Sequence, residues 1–306
     1  MTAPRVAVGP VSRDSAYQAI RDGGGLPVDV DARADALVWL DPSDINGLRA
    51  ALATAARARW VQLPFAGIER VVDAGLLEPN RTWTSAKGAY AEPVAEHALA
   101  LALAGLRVLR QRIMARSWGE PAGESLYDEP VTILGAGGIT ASLLELLAPF
   151  RTPVTVVRRR PEAVQGAART LPQSALQQAL AGARVVFVAL ALTSRTERII
   201  GAAELAVMRG DSWLVNVARG RHVDTDALVA ALRDGTIGGA ALDVTDPEPL
   251  PDGHPLWQQK RCIITPHTAD TPEMVERMLV RRIRQNVAAF VAGEPLTGIV
   301  DPAAGY

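Results

Sequence analysis

The sequence predicts an α/β protein built from two doubly wound, parallel-sheet domains, the first of them discontinuous. Short apolar runs alternate with amphipathic stretches along the chain, the pattern of strand–helix–strand units with right-handed crossovers. A glycine-rich turn, Leu134-Gly135-Ala136-Gly137-Gly138-Ile139-Thr140, joins one such run to the helical stretch after it. The 306 residues are about twice a common domain size of roughly 100–150.

In the first part, Arg5–Val8, Ala36–Leu40 and Trp60–Gln62 read as strands, and Ser43–Ala58 as a helix with Ser43 placed to cap it. Glu92–Met114 has proline only near its start, at Pro93, and a single glycine, Gly105. It reads as one long, mostly buried helix linking the domains. From Val131 the rhythm becomes regular. Val131–Leu134, Val154–Val157, Val185–Leu190, Trp213–Val215, Gly239–Val244 and Cys262–Thr265 are short apolar runs of the kind central parallel strands show. Gly138–Leu147 and Asp224–Asp234 read as helices, the second capped by Asp224 and stopped by Gly235. Thr271–Ala292 is the last helix, with Pro272 early and Gly293 just beyond it. The tail Glu294–Tyr306 lacks periodicity and is expected to fold back on the first domain. Residues 1–92 and 287–306 are thus assigned to one domain, and 93–286 to a second that contains the glycine-rich turn.

Composition narrows the function. A formal net charge of −1 argues against a nucleic-acid surface, which needs clustered excess Lys and Arg. The single cysteine, Cys262, excludes an internal disulfide framework. The start MTAPRVAVGP lacks the charged and apolar regions of a signal peptide. The longest apolar run, Ala98–Leu106, is bounded by His97 and Arg107 and is too short to span a bilayer. A cytoplasmic protein without membrane attachment is the expectation. No His/Cys/Asp cluster has metal-ligand spacing, so no metal is expected.

The glycine turn is where chemistry first becomes legible. In the Rossmann-like arrangement the first glycine permits the tight turn, and the second lets backbone approach a pyrophosphate seated on the helix N-terminus. Gly135, Gly137, Gly138 and Ile139 are therefore candidate cofactor contacts. Thr140 stands where a third glycine is common, and its side chain is expected to part helix and strand slightly or to fill a gap. About 20 residues on, an acid would bind the ribose of NAD. Here Val154–Val157 runs into Arg158-Arg159-Arg160, and the first acid is Glu162, beyond Pro161. Arg158 and Arg159 suit a 2′-phosphate through forked hydrogen bonds. NADP is preferred over NAD on this reading, and solvated surface arginines are the plainer alternative.

Three segments place polar residues just after apolar strands: Asn216-Val217-Ala218-Arg219-Gly220, Asp243-Val244-Thr245-Asp246-Pro247-Glu248-Pro249 and Thr265-Pro266-His267-Thr268-Ala269. In a doubly wound sheet, sites form at the carboxyl ends of the strands, so all three face the crevice of the glycine turn. Arginine can grip the carboxylate of a 2-oxo acid in a forked bond and polarise its carbonyl. Histidine titrates near neutrality and can deliver the proton that the reduced oxygen needs. An acid beside it can orient the ring and favour its charged form.

With these segments and Tyr90-Ala91-Glu92-Pro93-Val94-Ala95-Glu96-His97, nearly the whole chain resembles the D-isomer-specific 2-hydroxyacid dehydrogenase family. The branch of glyoxylate/hydroxypyruvate reductases is the nearest, since it too tends to carry arginine after the second strand. The resemblance implies hydride transfer between NADP or NAD and C2 of a small 2-oxo or D-2-hydroxy acid. It places Arg219, Glu248 and His267 at the catalytic positions, Thr193 near the cofactor and Asp243 at the nicotinamide carboxamide. It places Ala66 and Gly67 in a loop whose backbone N–H groups meet the substrate carboxylate, with Tyr90 either lining that pocket or simply packing. Phe65 is bulkier than the residue usual there, and Leu192 replaces a family proline, which leaves the path of its loop open. His97 reads as structural, and His222 and His254 as loop residues. A homodimer is implied as well. Phosphoglycerate dehydrogenase is a second enzyme reading, set against it by Arg158–Arg160 and by the expected absence of regulatory domains. Formate dehydrogenase is weaker, because Glu248 is an acid. A dinucleotide-sensing corepressor keeps the same motifs and is separable by turnover.

Overall fold

The computed structural model describes residues 2–160 and 162–301. Two compact units are present, one made of the chain up to Tyr90 together with the part from Thr271 onward, the other of Ala91–Asp270.

The first unit holds a five-stranded sheet: β1 (Arg5–Gly9), β2 (Leu26–Asp29), β3 (Ala36–Trp39), β4 (Trp60–Gln62) and β5 (Thr82–Thr84). Their spatial order is β2-β1-β3-β4-β5, and every pairing is parallel. β3 and β4 are buried throughout, as strands covered on both faces must be. Helix Ile45–Thr54 starts later than expected and is capped by Asp44, whose carboxylate accepts the Gly47 N–H at 2.7 Å. Ser43 instead donates its hydroxyl to Asp41. Leu48, Ala51 and Leu52 turn that helix's apolar face onto Leu37 and Val61 in one core.

The last helix, Pro272–Ala292, belongs whole to this unit, whereas the sequence reading divided it at residue 287. It packs against helix Asp14–Asp22. A Cβ on Gly23 would stand 2.8 Å from Val287, so glycine permits the close approach. Asn286 bonds Gln62 and both polar groups of Thr297's backbone. The tail then lies along β5, with Ser85 N–H on Gly298 O and Val300 N–H on Trp83 O. Residues 302–306 of the tail fall outside the described residues.

The second unit holds a seven-stranded parallel sheet: β6 (Val131–Leu134), β7 (Val154–Arg158), β8 (Arg169–Pro172), β9 (Val185–Val188), β10 (Trp213–Asn216), β11 (Gly239–Leu242) and β12 (Cys262–Ile264). The order is β12-β11-β10-β9-β6-β7-β8, so the winding reverses between β6 and β9, where a doubly wound sheet opens its crevice. Helix Ala91–Leu106 packs on helix Gly138–Leu147 and on β10. At Gly105 a Cβ would stand 2.3 Å from the Trp213 ring, which explains the one glycine of that helix. The expected single helix Glu92–Met114 is broken: Val108 takes a left-handed φ of 49°, and a separate turn Leu109–Ile113 follows. Helix Thr225–Asp234 has the expected caps, with Asp224 accepting the Ala227 N–H and Gly235 left-handed at φ 71°. Among the described residues no helix is long and apolar enough to cross a membrane.

Candidate active site

Two turns at the carboxyl ends of β6 and β9 meet at the reversal. Gly135 has φ 110°, and a Cβ on it would lie 2.4 Å from the Ala189 carbonyl oxygen, so only glycine fits. Gly137 differs, since nothing lies within 4 Å of the place its Cβ would take. It is the N-cap of helix Gly138–Leu147 and offers no side-chain cap. The first N–H groups of that helix, including those of Gly138 and Ile139, therefore face an open space that a Cβ would narrow, the cradle a pyrophosphate needs. Thr140 is fully buried and donates its hydroxyl to the Gly135 carbonyl at 3.0 Å. The departure from the glycine pattern thus ties the turn to the helix.

Arg158 ends β7, one residue beyond the expected strand. Its guanidinium already meets Glu162, with Nη2 3.5 Å from the carboxylate and Nη1 3.3 Å from the carbonyl. Arg159 is exposed. Thr193 follows β9 in a turn where its N–H donates to Thr196 Oγ1 at 2.8 Å. Thr196 in turn donates to the Ala191 carbonyl at 2.8 Å, so the loop through Leu192 closes on a threonine.

Arg219 leaves β10 in a turn pinned by Asn216, which donates to the Arg219 carbonyl at 2.9 Å and accepts the Ala218 N–H at 3.0 Å. The Arg219 N–H donates to Nδ1 of His222, a fully buried residue that the sequence reading left without a role. The next residue makes the crossing possible: a Cβ on Gly220 would stand 1.9 Å from the Thr245 carbonyl oxygen. Glycine therefore lets the Arg219 turn touch the loop that carries Glu248. There Glu248 Oε1 bonds His267 Nδ1 at 2.6 Å, leaving the far ring nitrogen for chemistry. Both side chains are partly exposed, at 45% for His267 and 40% for Glu248.

His267 takes a left-handed φ of 50°, a strained state that histidine tolerates better than most residues. Asp243 holds it there. Its carbonyl accepts the His267 N–H at 2.8 Å. Its carboxylate accepts the N–H groups of Thr268 and Ala269 at 2.9 and 3.1 Å and the Thr265 hydroxyl at 2.6 Å. His97 Nε2 lies 3.3 Å from the same carboxylate and 3.0 Å from Thr265 Oγ1. Burial opposes ionisation of Asp243, yet the bonds from His97, Thr265, Thr268 and Ala269 prevail and hold its carboxyl at about 2. Both Asp243 oxygens thus serve the histidine loop. No sequence signal marked this clamp, because its partners are far apart in the chain. Among the described residues no group of three His, Cys, Asp or Glu could hold a metal.

In the first unit, Ala66 and Gly67 lie between β4 and helix Glu69–Asp73. Their backbone N–H groups have no hydrogen-bond partner among the described residues. Tyr90 is buried and donates its hydroxyl to the Pro64 carbonyl at 2.5 Å, so it fastens the start of this loop. His254 caps a short helix by accepting the Leu256 N–H.

Residues 97–269 match the model of the D-isomer specific 2-hydroxyacid dehydrogenase NAD-binding domain. The chain belongs to the D-isomer-specific 2-hydroxyacid dehydrogenase family. It is an NAD(P)-dependent oxidoreductase of that family, and its relatives agree in sequence and in fold. It is 42% identical over 254 residues, 81% of this chain and 84% of the other, to an uncharacterized protein in the proB 3′ region of Corynebacterium melassecola. It is 36% identical to glyoxylate/hydroxypyruvate reductase A of Klebsiella pneumoniae strain 342, over 63% of this chain and 61% of that one. Among solved structures, a family member from Xanthobacter autotrophicus Py2 in complex with NADPH and MES superposes with a TM-score of 0.83 at 27% identity, covering all of both chains.

Proposed function

We propose that this dehydrogenase reduces small 2-oxo acids of the glyoxylate/hydroxypyruvate type to D-2-hydroxy acids, with NADPH preferred over NADH. The short bond between His267 and Glu248, on the same side of the sheet as Arg219, carries the reading. Arg219 grips the substrate carboxylate through its forked donors and polarises the neighbouring carbonyl. The dinucleotide, when bound, supplies a hydride to C2. His267 gives its proton to the carbonyl oxygen as that oxygen gains charge, and Glu248 holds the ring in the tautomer and orientation this needs. In the reverse direction His267 takes the proton from the hydroxyl.

The N–H groups of Ala66 and Gly67 are assigned to the substrate carboxylate, and Tyr90 to the support of their loop. Gly135, Gly137, Gly138 and Ile139 are assigned to the pyrophosphate. Thr193 is assigned to the cofactor, and its position in the loop after β9 supports this. Asp243 is assigned to the nicotinamide carboxamide by the resemblance, and its bonds to Thr268 and Ala269 support a second role as the clamp on the His267 loop. Arg158 and Arg159 are assigned to the 2′-phosphate, in keeping with the NADPH bound to the Xanthobacter relative. The substrate class follows the Klebsiella reductase. A homodimer is proposed from the exposed apolar residues Ile113, Met114 and Trp118, 70% exposed or more, a run that isolated domains rarely show to water.

Loss of nicotinamide absorbance on mixing the protein with glyoxylate, hydroxypyruvate or pyruvate, with NADPH and NADH side by side, tests the reading. Turnover favouring NADPH is expected. Dinucleotide binding without turnover on any 2-oxo acid would overturn it in favour of a sensor.

A further inference from the structure

His97 stands in the second turn of helix Ala91–Leu106. Its Nε2 lies 3.0 Å from Thr265 Oγ1 and 3.3 Å from Asp243 Oδ1. The Thr265 hydroxyl already gives its hydrogen to Asp243 Oδ1 at 2.6 Å, so Oγ1 has only lone pairs to offer the ring. The Asp243 carboxyl, held at about 2, is ionised at neutral pH and is likewise an acceptor only. Nε2 therefore faces two acceptors, and only a protonated Nε2 can bond either of them. With the proton on Nδ1 alone, a lone pair would stand against two oxygens beside a buried carboxylate, an arrangement that burial makes costly.

The other donors to Asp243 all come from the segment that carries His267. They are the Thr265 hydroxyl and the N–H groups of Thr268 and Ala269. His97 comes from a different element, a helix that packs on β10 and β11 with Ala95, Ala98 and Ala102 buried. The carboxylate is thus tied on one side to the loop and on the other to a packed helix. His267, at φ 50°, keeps a strained backbone only while its surroundings over-determine it. We propose that His97 is a positioning residue for the proton transfer assigned to His267: its Nε2–H anchors the Asp243 carboxylate to helix Ala91–Leu106, and the carboxylate holds the His267 loop in shape. The inference rests on that assignment of His267. The effect of His97 is exerted through Asp243, so its loss acts on turnover rather than on the binding of the 2-oxo acid or the dinucleotide.

Two measurements test this. In 15N spectra of histidine-labelled protein at neutral pH, the His97 ring is identified by its disappearance in His97→Gln. It is expected to carry a proton on Nε2. A ring protonated on Nδ1 alone overturns the inference, whatever the activity. Steady-state kinetics with hydroxypyruvate and NADPH then compare wild type, His97→Ala and His97→Gln. His97→Ala is expected to lower kcat about tenfold, a fraction of the cost of a misplaced catalytic group, with both KM values within about twofold of wild type. Glutamine carries an amide N–H close to the place of Nε2, so His97→Gln is expected to recover most of the lost kcat. Equal losses in the two variants, or a rise in the KM for NADPH with kcat preserved, overturn the positioning role while leaving the reductase reading intact. A wild type that reduces no 2-oxo acid overturns the reductase reading and the inference with it.

Discussion

Asp243 accepts the backbone N–H of His267 through its carbonyl at 2.8 Å, and its carboxylate holds the two N–H groups that follow. One residue thus grips the strained histidine from both sides. Asp243→Asn keeps the shape but loses an acceptor and the charge, so the loop slackens. Turnover is expected to fall roughly 10–100-fold, the scale of an ångström's misplacement, while dinucleotide affinity changes little. A large rise in the dinucleotide Kd with turnover preserved would assign Asp243 to the nicotinamide alone.

The same carboxylate sets a stability window. Its pKa is lowered from 3.8 to about 2 in the folded chain, so folding favours the ionised form. That contribution is complete above the unfolded value and is lost as pH falls through the folded one. It amounts to about 1–2 kcal/mol after allowance for solvent screening. In urea unfolding, the gap between wild type and Asp243→Asn is expected to narrow from pH 5 to pH 2.5.

His267 and Glu248 form a pair whose members contribute differently. His267→Ala removes the proton donor and is expected to cut turnover by about 10²–10⁴-fold, with dinucleotide binding retained in fluorescence titration. Glu248→Gln keeps a hydrogen-bonding group but no longer dictates the tautomer, so a smaller loss is expected. Unchanged turnover in His267→Ala would remove histidine from the proton transfer.

Much of this was legible because buried parallel strands announce themselves. Val131–Leu134, fully buried, is a mostly apolar run whose one polar side chain, Thr132, donates its hydroxyl to the Ala179 carbonyl at 2.7 Å. The strands the sequence hid are β2, β5 and β8, reading LPVD, TWT and RTLP. All three are sheet edges, where polar residues and proline are tolerated and the apolar signal fades. The left-handed Val108 that breaks the long helix has no local cue, since valine disfavours that conformation. In the site, Arg219, Glu248 and His267 stood out because each follows a strand end within a recognisable segment. His97 did not, since its partners Thr265 and Asp243 lie far away in the chain, and His222, bonded to the nearby Arg219 backbone, read as an ordinary loop residue.

Arg158 Nη2 lies 3.5 Å from the Glu162 carboxylate. The acid is largely exposed, so the pair is weak, yet it competes for the donor that NADPH is proposed to use. Arg158→Ala is expected to raise the KM for NADPH about 10–100-fold, one charged hydrogen bond, and to leave that for NADH nearly unchanged. Glu162→Gln is expected to lower the KM for NADPH. An equal effect of Arg158→Ala on both dinucleotides would return the arginine to the solvated surface.

The two glycines of the nucleotide turn differ in what they do, and alanine separates them. At Gly135 the backbone has φ 110° and the new Cβ would sit 2.4 Å from a carbonyl oxygen, so the strain falls on the folded chain itself. Gly135→Ala is expected to cost roughly 2–4 kcal/mol and to lower Tm by roughly 5–10 °C without any ligand present. At Gly137 φ is −94° and the space beside it is open, so alanine strains nothing in the free protein. Gly137→Ala is expected to leave Tm unchanged and to weaken dinucleotide binding, because its methyl group enters the space proposed for the pyrophosphate. Calorimetry of the free proteins with titration of NADPH reads both effects. If Gly137→Ala bound NADPH as tightly as wild type, the open space above that helix would not be where the pyrophosphate lies.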